Sequence, residues 1–169
     1  MKSFGHPDPL QDARRVLTAS SGKFIADDVS AQAIGNAIYV WHADGSDVEQ
    51  FWPDETGLTT ALAAAVANDT VWLPSIPIAL TAGISLTAYT ALVGISEYSL
   101  LIASGFDGAV ITMAEGAVCH RFSLVFSAAG TNAIGIDARF AAAVVDNVNV
   151  DVWGGSGSNT AIYAGAAEA

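Results

Sequence analysis

Positive charge is scarce in this chain. Lysine and arginine number six in 169 residues against seventeen aspartates and glutamates, a formal charge of −11, and no lysine follows Lys23. A surface so short of cations repels phosphate backbones and anionic lipid heads, so neither nucleic acid nor a membrane is expected as a partner. Cysteine is nearly absent too. The single Cys119 excludes an intramolecular disulfide and any multi-cysteine metal site. Its place in an apolar strand pattern suits a small core side chain. Long apolar runs are missing: the most apolar stretch, Ala61 to Ala67, falls far short of the roughly twenty residues that cross a bilayer. Met1 to Gln11 carries two prolines and several polar residues where a signal peptide would have its apolar segment. No cofactor and no metal is expected.

What is present points to a folded domain. Hydrophobic residues make up 52% and charged ones 14%, and sixteen glycines suit a fold with many tight turns. Leu58, Leu62 and Val66 recur every four residues among alanines, which predicts a short helix opening at a Thr56 N-cap. Asn68-Asp69 ends it. Short strands then follow: Thr70 to Leu73 before Pro74, Ile78 with Leu80, Ile84 with Leu86, and Leu92 to Ile95. None is long enough for a helix.

The sequence also repeats. Val118 to Phe126 aligns with Val144 to Val152 at an offset of 26, and Leu92 lies another 26 residues before Val118. A second series, Val110, Ile134 and Ile162, opens comparable strands at offsets of 24 and 28. Two strand series advancing in step predict successive turns of a solenoid, with neighbouring turns stacked about 4.8 Å apart. Alternation directs Phe122, Leu124 and Phe126 inward under Val148, Val150 and Val152. Ser123 with Asn149, and Val125 with Asp151, should then pair on the outside.

Ahead of the helix, Ile38 to His42 and Val48 to Trp52 flank Ala43-Asp44-Gly45-Ser46-Asp47, in which Asp-Gly predicts a β-hairpin. The hairpin gathers Tyr39, Trp41 and Trp52. Rings on a strand surface can stack on sugar faces, or cover the end of the solenoid, or sit between subunits. Residues before the hairpin read as an irregular arm, with one helical turn over Asp12 to Leu17 and a short strand over Lys23 to Ile25. Arg14 and Arg15 there form a paired basic site, the simpler reading of which is a solvated surface. The organisation is therefore an arm and hairpin adaptor over 1–55 and a parallel β-helix over 56–169.

Leu58 to Ala67 as a cap helix, Asp69-Thr70-Val71-Trp72-Leu73-Pro74, Ile84-Ser85-Leu86 and Thr90-Ala91-Leu92-Val93-Gly94 come in an order that resembles the opening turns of the pectate-lyase-like superfamily of right-handed β-helices. That group includes polysaccharide-cleaving enzymes and phage tail spikes. The resemblance implies an all-β, right-handed, single-stranded parallel β-helix with a short N-terminal cap helix and a preceding β-hairpin. Right-handed crossover is also the default for parallel connections. The similarity to tail spikes implies a homotrimer at an extracellular or virion surface.

Chemistry is sparser. Glycosidic cleavage commonly needs two carboxylates several ångströms apart, and no such pair stands out among Asp107, Glu115, Asp137, Asp146 and Asp151. The 26-residue offset does stack His120 beneath Asp146, where the two could hydrogen-bond as an acid–base dyad or simply close a turn as a polar pair. The sequence thus predicts a structural or recognition β-helix of a surface-fibre or tail-spike type, facing glycans and lacking a complete active site. The alternative is the N-terminal piece of a polysaccharide lyase or glycoside hydrolase, and a carbohydrate-binding module using Trp41 or Trp52 is a third reading. The chain stops at Ala169 on a strand with no cap after it, so further turns or a partner are expected to complete the edge.

Overall fold

Four-residue strands of alternating polarity, broken by Pro74, Thr81-Ala82-Gly83 and Gly105, cannot bury their inner face as isolated hairpins and do so by coiling. The computed structural model describes residues 36–46, 48–96, 98–140 and 142–165, which wind into a parallel β-solenoid of about three turns. The expected helical turn at Asp12–Leu17, the strand at Lys23–Ile25 and the Arg14–Arg15 pair lie outside the described residues.

The elements are β1 (Ile38–Trp41), β2 (Glu49–Phe51), α1 (Glu55–Ala64), β3 (Thr70–Leu73), β4 (Pro77–Leu80), β5 (Ile84–Ser85), β6 (Ala91–Gly94), β7 (Leu100–Ser104), β8 (Gly108–Thr112), β9 (Val118–Ala128), β10 (Asn132–Asp137), β11 (Val144–Gly154) and β12 (Ser158–Tyr163). They stack in three columns. The first holds β3, β6 and the opening residues of β9 and β11. The second holds β4, β7 and the remainder of β9 and β11. The third holds β5, β8, β10 and β12.

The predicted hairpin forms, β1 pairing antiparallel with β2. Its other edge pairs antiparallel with β3, so the hairpin continues the first column rather than standing apart from it. The helix is displaced from expectation by one residue pair. Asp54, not Thr56, is the N-cap and accepts a hydrogen bond from Gly57 N at 2.7 Å. The helix ends at Ala64, and Val66 is 62% exposed, off the buried stripe of Leu58, Ala61 and Leu62. The cause lies in Asp69, whose buried carboxylate accepts from Val66 N, Ala43 N and His42 Nδ1 at 2.9, 2.9 and 2.7 Å. Those bonds end the helix and tie it to the hairpin.

Register follows the repeat where the repeat was longest. Val118 pairs with Val144, Leu124 with Val150 and Phe126 with Val152, at the predicted offset of 26. Phe122, Leu124 and Phe126 are buried beneath the part-buried Val148, Val150 and Val152, as alternation required. Earlier offsets shift by a residue or two: Leu92 pairs with Cys119, and the third column runs Ala109, Ile134, Thr160 and Ile111, Ile136, Ile162. Short connecting loops of unequal length explain the difference, since only strand residues are bound by the stacking. The last strand of the third column, β12, opens at Ser158. Cys119 is fully buried, and burial pushes its thiol up to about 12.

The bend between the first two columns has a specific cause. Arg121 and Asn147 occupy the left-handed region, with φ of 55° and 51°, and the pairing of β9 with β11 skips this position. Asparagine tolerates that conformation; arginine adopts it at a cost. Here the Arg121 side chain offsets the cost, donating from Nε to Gly94 O and from Nη2 to Ile95 O, each at 2.9 Å. Gly94 is needed in return, because a Cβ there would collide with the Arg121 carbonyl.

Candidate functional site

Three fully buried residues of the first column, Val71, Leu92 and Cys119, fix which way its neighbours point. The alternate positions lie on the opposite side of the sheet, in two rows across five strands. One row runs Tyr39, Trp72, Val93, His120, Asp146, and the other Trp41, Thr70, Ala91, Val118, Val144. This outer face brings together several residues that the sequence singled out separately.

Trp41 sits at its hairpin end, 51% exposed, with its ring centroid 6.2 Å from that of Trp72 and tilted by 60°. The Trp72 indole N–H is buried without a hydrogen-bond partner, a state that costs about 1–3 kcal/mol. Tyr39 is buried on the same row, and burial holds its phenol above the ordinary range. Trp52, beyond β2, is 81% exposed. Of the three aromatic candidates, then, Trp41 and Trp52 present ring surface and Tyr39 does not.

At the far end His120 Nδ1 lies 3.0 Å from Asp146 Oδ2, the stacked pair predicted from the repeat. Both are substantially exposed, at 37% and 68% of the side chain. Next to them, at the bend, Arg121, Phe122, Ser123, Asn147 and Asn149 line a small cleft of about 130 Å³. It is too small for a sugar ring to enter but adequate for a hydroxyl or a water cluster.

The remaining acidic candidates are engaged elsewhere. Asp107 accepts from Thr131 N and Asn132 N, which pins one coil to the next. Asp137 is held by both arms of the Arg139 guanidinium at 2.8 and 2.6 Å, which keeps its carboxyl below the usual range, and Arg139 also lies over the Tyr163 ring. Tyr89 is held above the ordinary phenol range by the hydrogen-bonding and charge influence of Glu115. Asp151 stands outside on β11 beside Val125. Among the described residues no group of three or more His, Cys, Asp or Glu is arranged to hold a metal ion.

Sequence reasoning missed Trp72 and the cleft. For Trp72 the signal was present, since alternation with Val71 and Leu73 already sends it outward. For Asn147 and Asn149 no linear pattern marks the bend; it arises from a left-handed residue stacked on another in the coil below. No protein-family model matches the chain, and no curated protein or solved structure matches it.

Proposed function

We propose that this chain is a structural and recognition β-solenoid of the surface-fibre or tail-spike type, similar to the pectate-lyase-like superfamily, and that it faces glycans. The observation that carries the reading is the outer face of the first column: a rigid, stacked sheet presenting an exposed tryptophan ring and few charges. Stacked parallel coils give such a face little freedom to rearrange, which limits the ordering cost of binding. The proposed assembly is a homotrimer at an extracellular or virion surface. Light scattering on a size-exclusion column tests the assembly, with a defined trimer expected and a monomer counting against it. Titration with an oligosaccharide panel, read by calorimetry, tests recognition; no binding to any member would refute it.

A second reading, the opening part of a polysaccharide lyase or glycoside hydrolase, is favoured by one observation, the His120–Asp146 contact beside a cleft. A carboxylate on one imidazole nitrogen orients the other as a general base or acid. Incubation with acidic and neutral polysaccharides should then release oligosaccharides, and His120→Ala should abolish the release. Intact polymer after prolonged incubation excludes this reading for the chain.

A further inference from the structure

We infer that the outer face of the first column is a site for a neutral sugar chain, bound by Trp41 at the hairpin end and by the exposed His120–Asp146 pair at the other; the inference rests on the glycan reading above. Four facts carry it. First, the chain bears a formal charge of −11, yet neither outward row places a charged side chain between the hairpin and His120. An acidic polymer approaching this protein is repelled by its overall field and meets no compensating cation in these rows. A neutral chain is not repelled.

Second, the side chains between the two ends suit a ligand lying across the strands. In one row the smaller Val93 on β6 lies between Trp72 on β3 and His120 on β9, whose strands are about 10 Å apart. In the other, Ala91 lies between Thr70 and Val118, so the stretch between the two ends carries only uncharged side chains. Third, its two ends differ as a sugar requires. The half-exposed Trp41 ring offers a flat apolar surface for the C–H face of a pyranose, while His120 and Asp146 offer polar atoms for hydroxyls. Fourth, the area is wrong for the alternative occupant. Five strands span about 19 Å and the two rows lie about 7 Å apart, a few hundred Å² at most. A stable protein partner needs roughly 800 Å² from each side.

The test is calorimetric titration of the full chain at low salt with cellohexaose and maltohexaose as neutral probes and oligogalacturonate as the acidic one. At least one neutral probe should bind, at least tenfold more tightly than the acidic one, and added salt should narrow that gap. Trp41→Ala should weaken neutral binding about tenfold, Trp41→Tyr should largely retain it, and Tyr98→Ala, exposed on a separate loop, should leave it unchanged. Because Trp41 packs on Trp72, each variant is checked for an unchanged circular-dichroism spectrum, and the tyrosine variant keeps a ring if alanine fails to fold. Tighter binding of oligogalacturonate, or neutral binding indifferent to Trp41→Ala, overturns the neutral-face assignment and leaves the glycan reading standing. No binding to any probe overturns both. Concentration-dependent dimers abolished by Trp41→Ala would assign the face to a second copy instead.

Discussion

Truncating Leu124 should destabilise the solenoid far more than truncating its chain neighbour Val125. Leu124 is fully buried in the second column, between Leu101 on the coil below and Val150 on the coil above, with Phe122 and Phe126 to either side along the strand. Burying a leucine contributes about 1.5–3 kcal/mol by transfer alone, and Leu124→Ala adds the cost of an incompletely collapsed cavity, for a loss of about 3 kcal/mol. A domain of this size loses roughly 2–4 °C in Tm per kcal/mol, so the melt should fall by about 6–12 °C. Val125→Ala removes an outward, part-buried side chain and should shift the melt by only about 2 °C. Leu124→Asp buries a carboxylate with no partner and should abolish cooperative unfolding, given a total stability of about 5–15 kcal/mol. Thermal denaturation followed by far-ultraviolet circular dichroism reads all three. Equal shifts for Leu124→Ala and Val125→Ala, or an unchanged melt for Leu124→Asp, would refute the inward assignment and with it the stacking of the second column.

Two further outcomes follow from the polar contacts. Desolvation works to raise the Asp69 carboxyl, but hydrogen bonds from Val66 N, Ala43 N and His42 outweigh it and hold it below the usual carboxylate range. A depressed carboxyl stabilises the fold above its unfolded pKa, about 3.9, and loses that contribution as pH falls through the folded value. Acid unfolding of the parent should therefore steepen below about pH 4, and Asp69→Asn should be less stable at neutral pH yet lose less on acidification; parallel acid-titration curves for the two would contradict this. At the bend, Arg121→Gly relieves the left-handed backbone while Arg121→Ala does not, and both lose the bonds to Gly94 O and Ile95 O. Urea denaturation should find the alanine variant the less stable of the two by about 1 kcal/mol; the reverse order would show that the backbone is unstrained there.

The strands were legible because their pattern is local. Thr70 to Leu73, Ile78 with Leu80 and Val118 to Phe126 each alternate, and the last repeats at 26 residues in register with Val144 to Val152. Boundaries set by side-chain capture were only partly legible: Asn68-Asp69 marks an end to the helix in the sequence, but not that its last residue is Ala64. The helix stops at Ala64 because Asp69 captures the Val66 N–H, and nothing in the apolar spacing of Leu58, Leu62 and Val66 announces that. The offsets of the earlier coils slipped for a related reason: loops between strands vary in length without disturbing the stack, so only a long, unbroken strand reports its register faithfully.

The candidate site divides in the same way. Trp41, Trp52, His120 and Asp146 were readable as residue types on strands, and the repeat alone predicted the His120–Asp146 contact, because in-register stacking turns a sequence offset into adjacency. The face they share was decided by tertiary structure. The antiparallel docking of β1 on β3 sets Trp41 against Trp72, an inter-strand choice that no local pattern encodes. The sequence by itself therefore determined a coil, its inward side chains and its shortage of cations. Which outward residues became neighbours was settled only when the hairpin paired with the first coil and the left-handed bend turned β9 and β11 from the first column into the second.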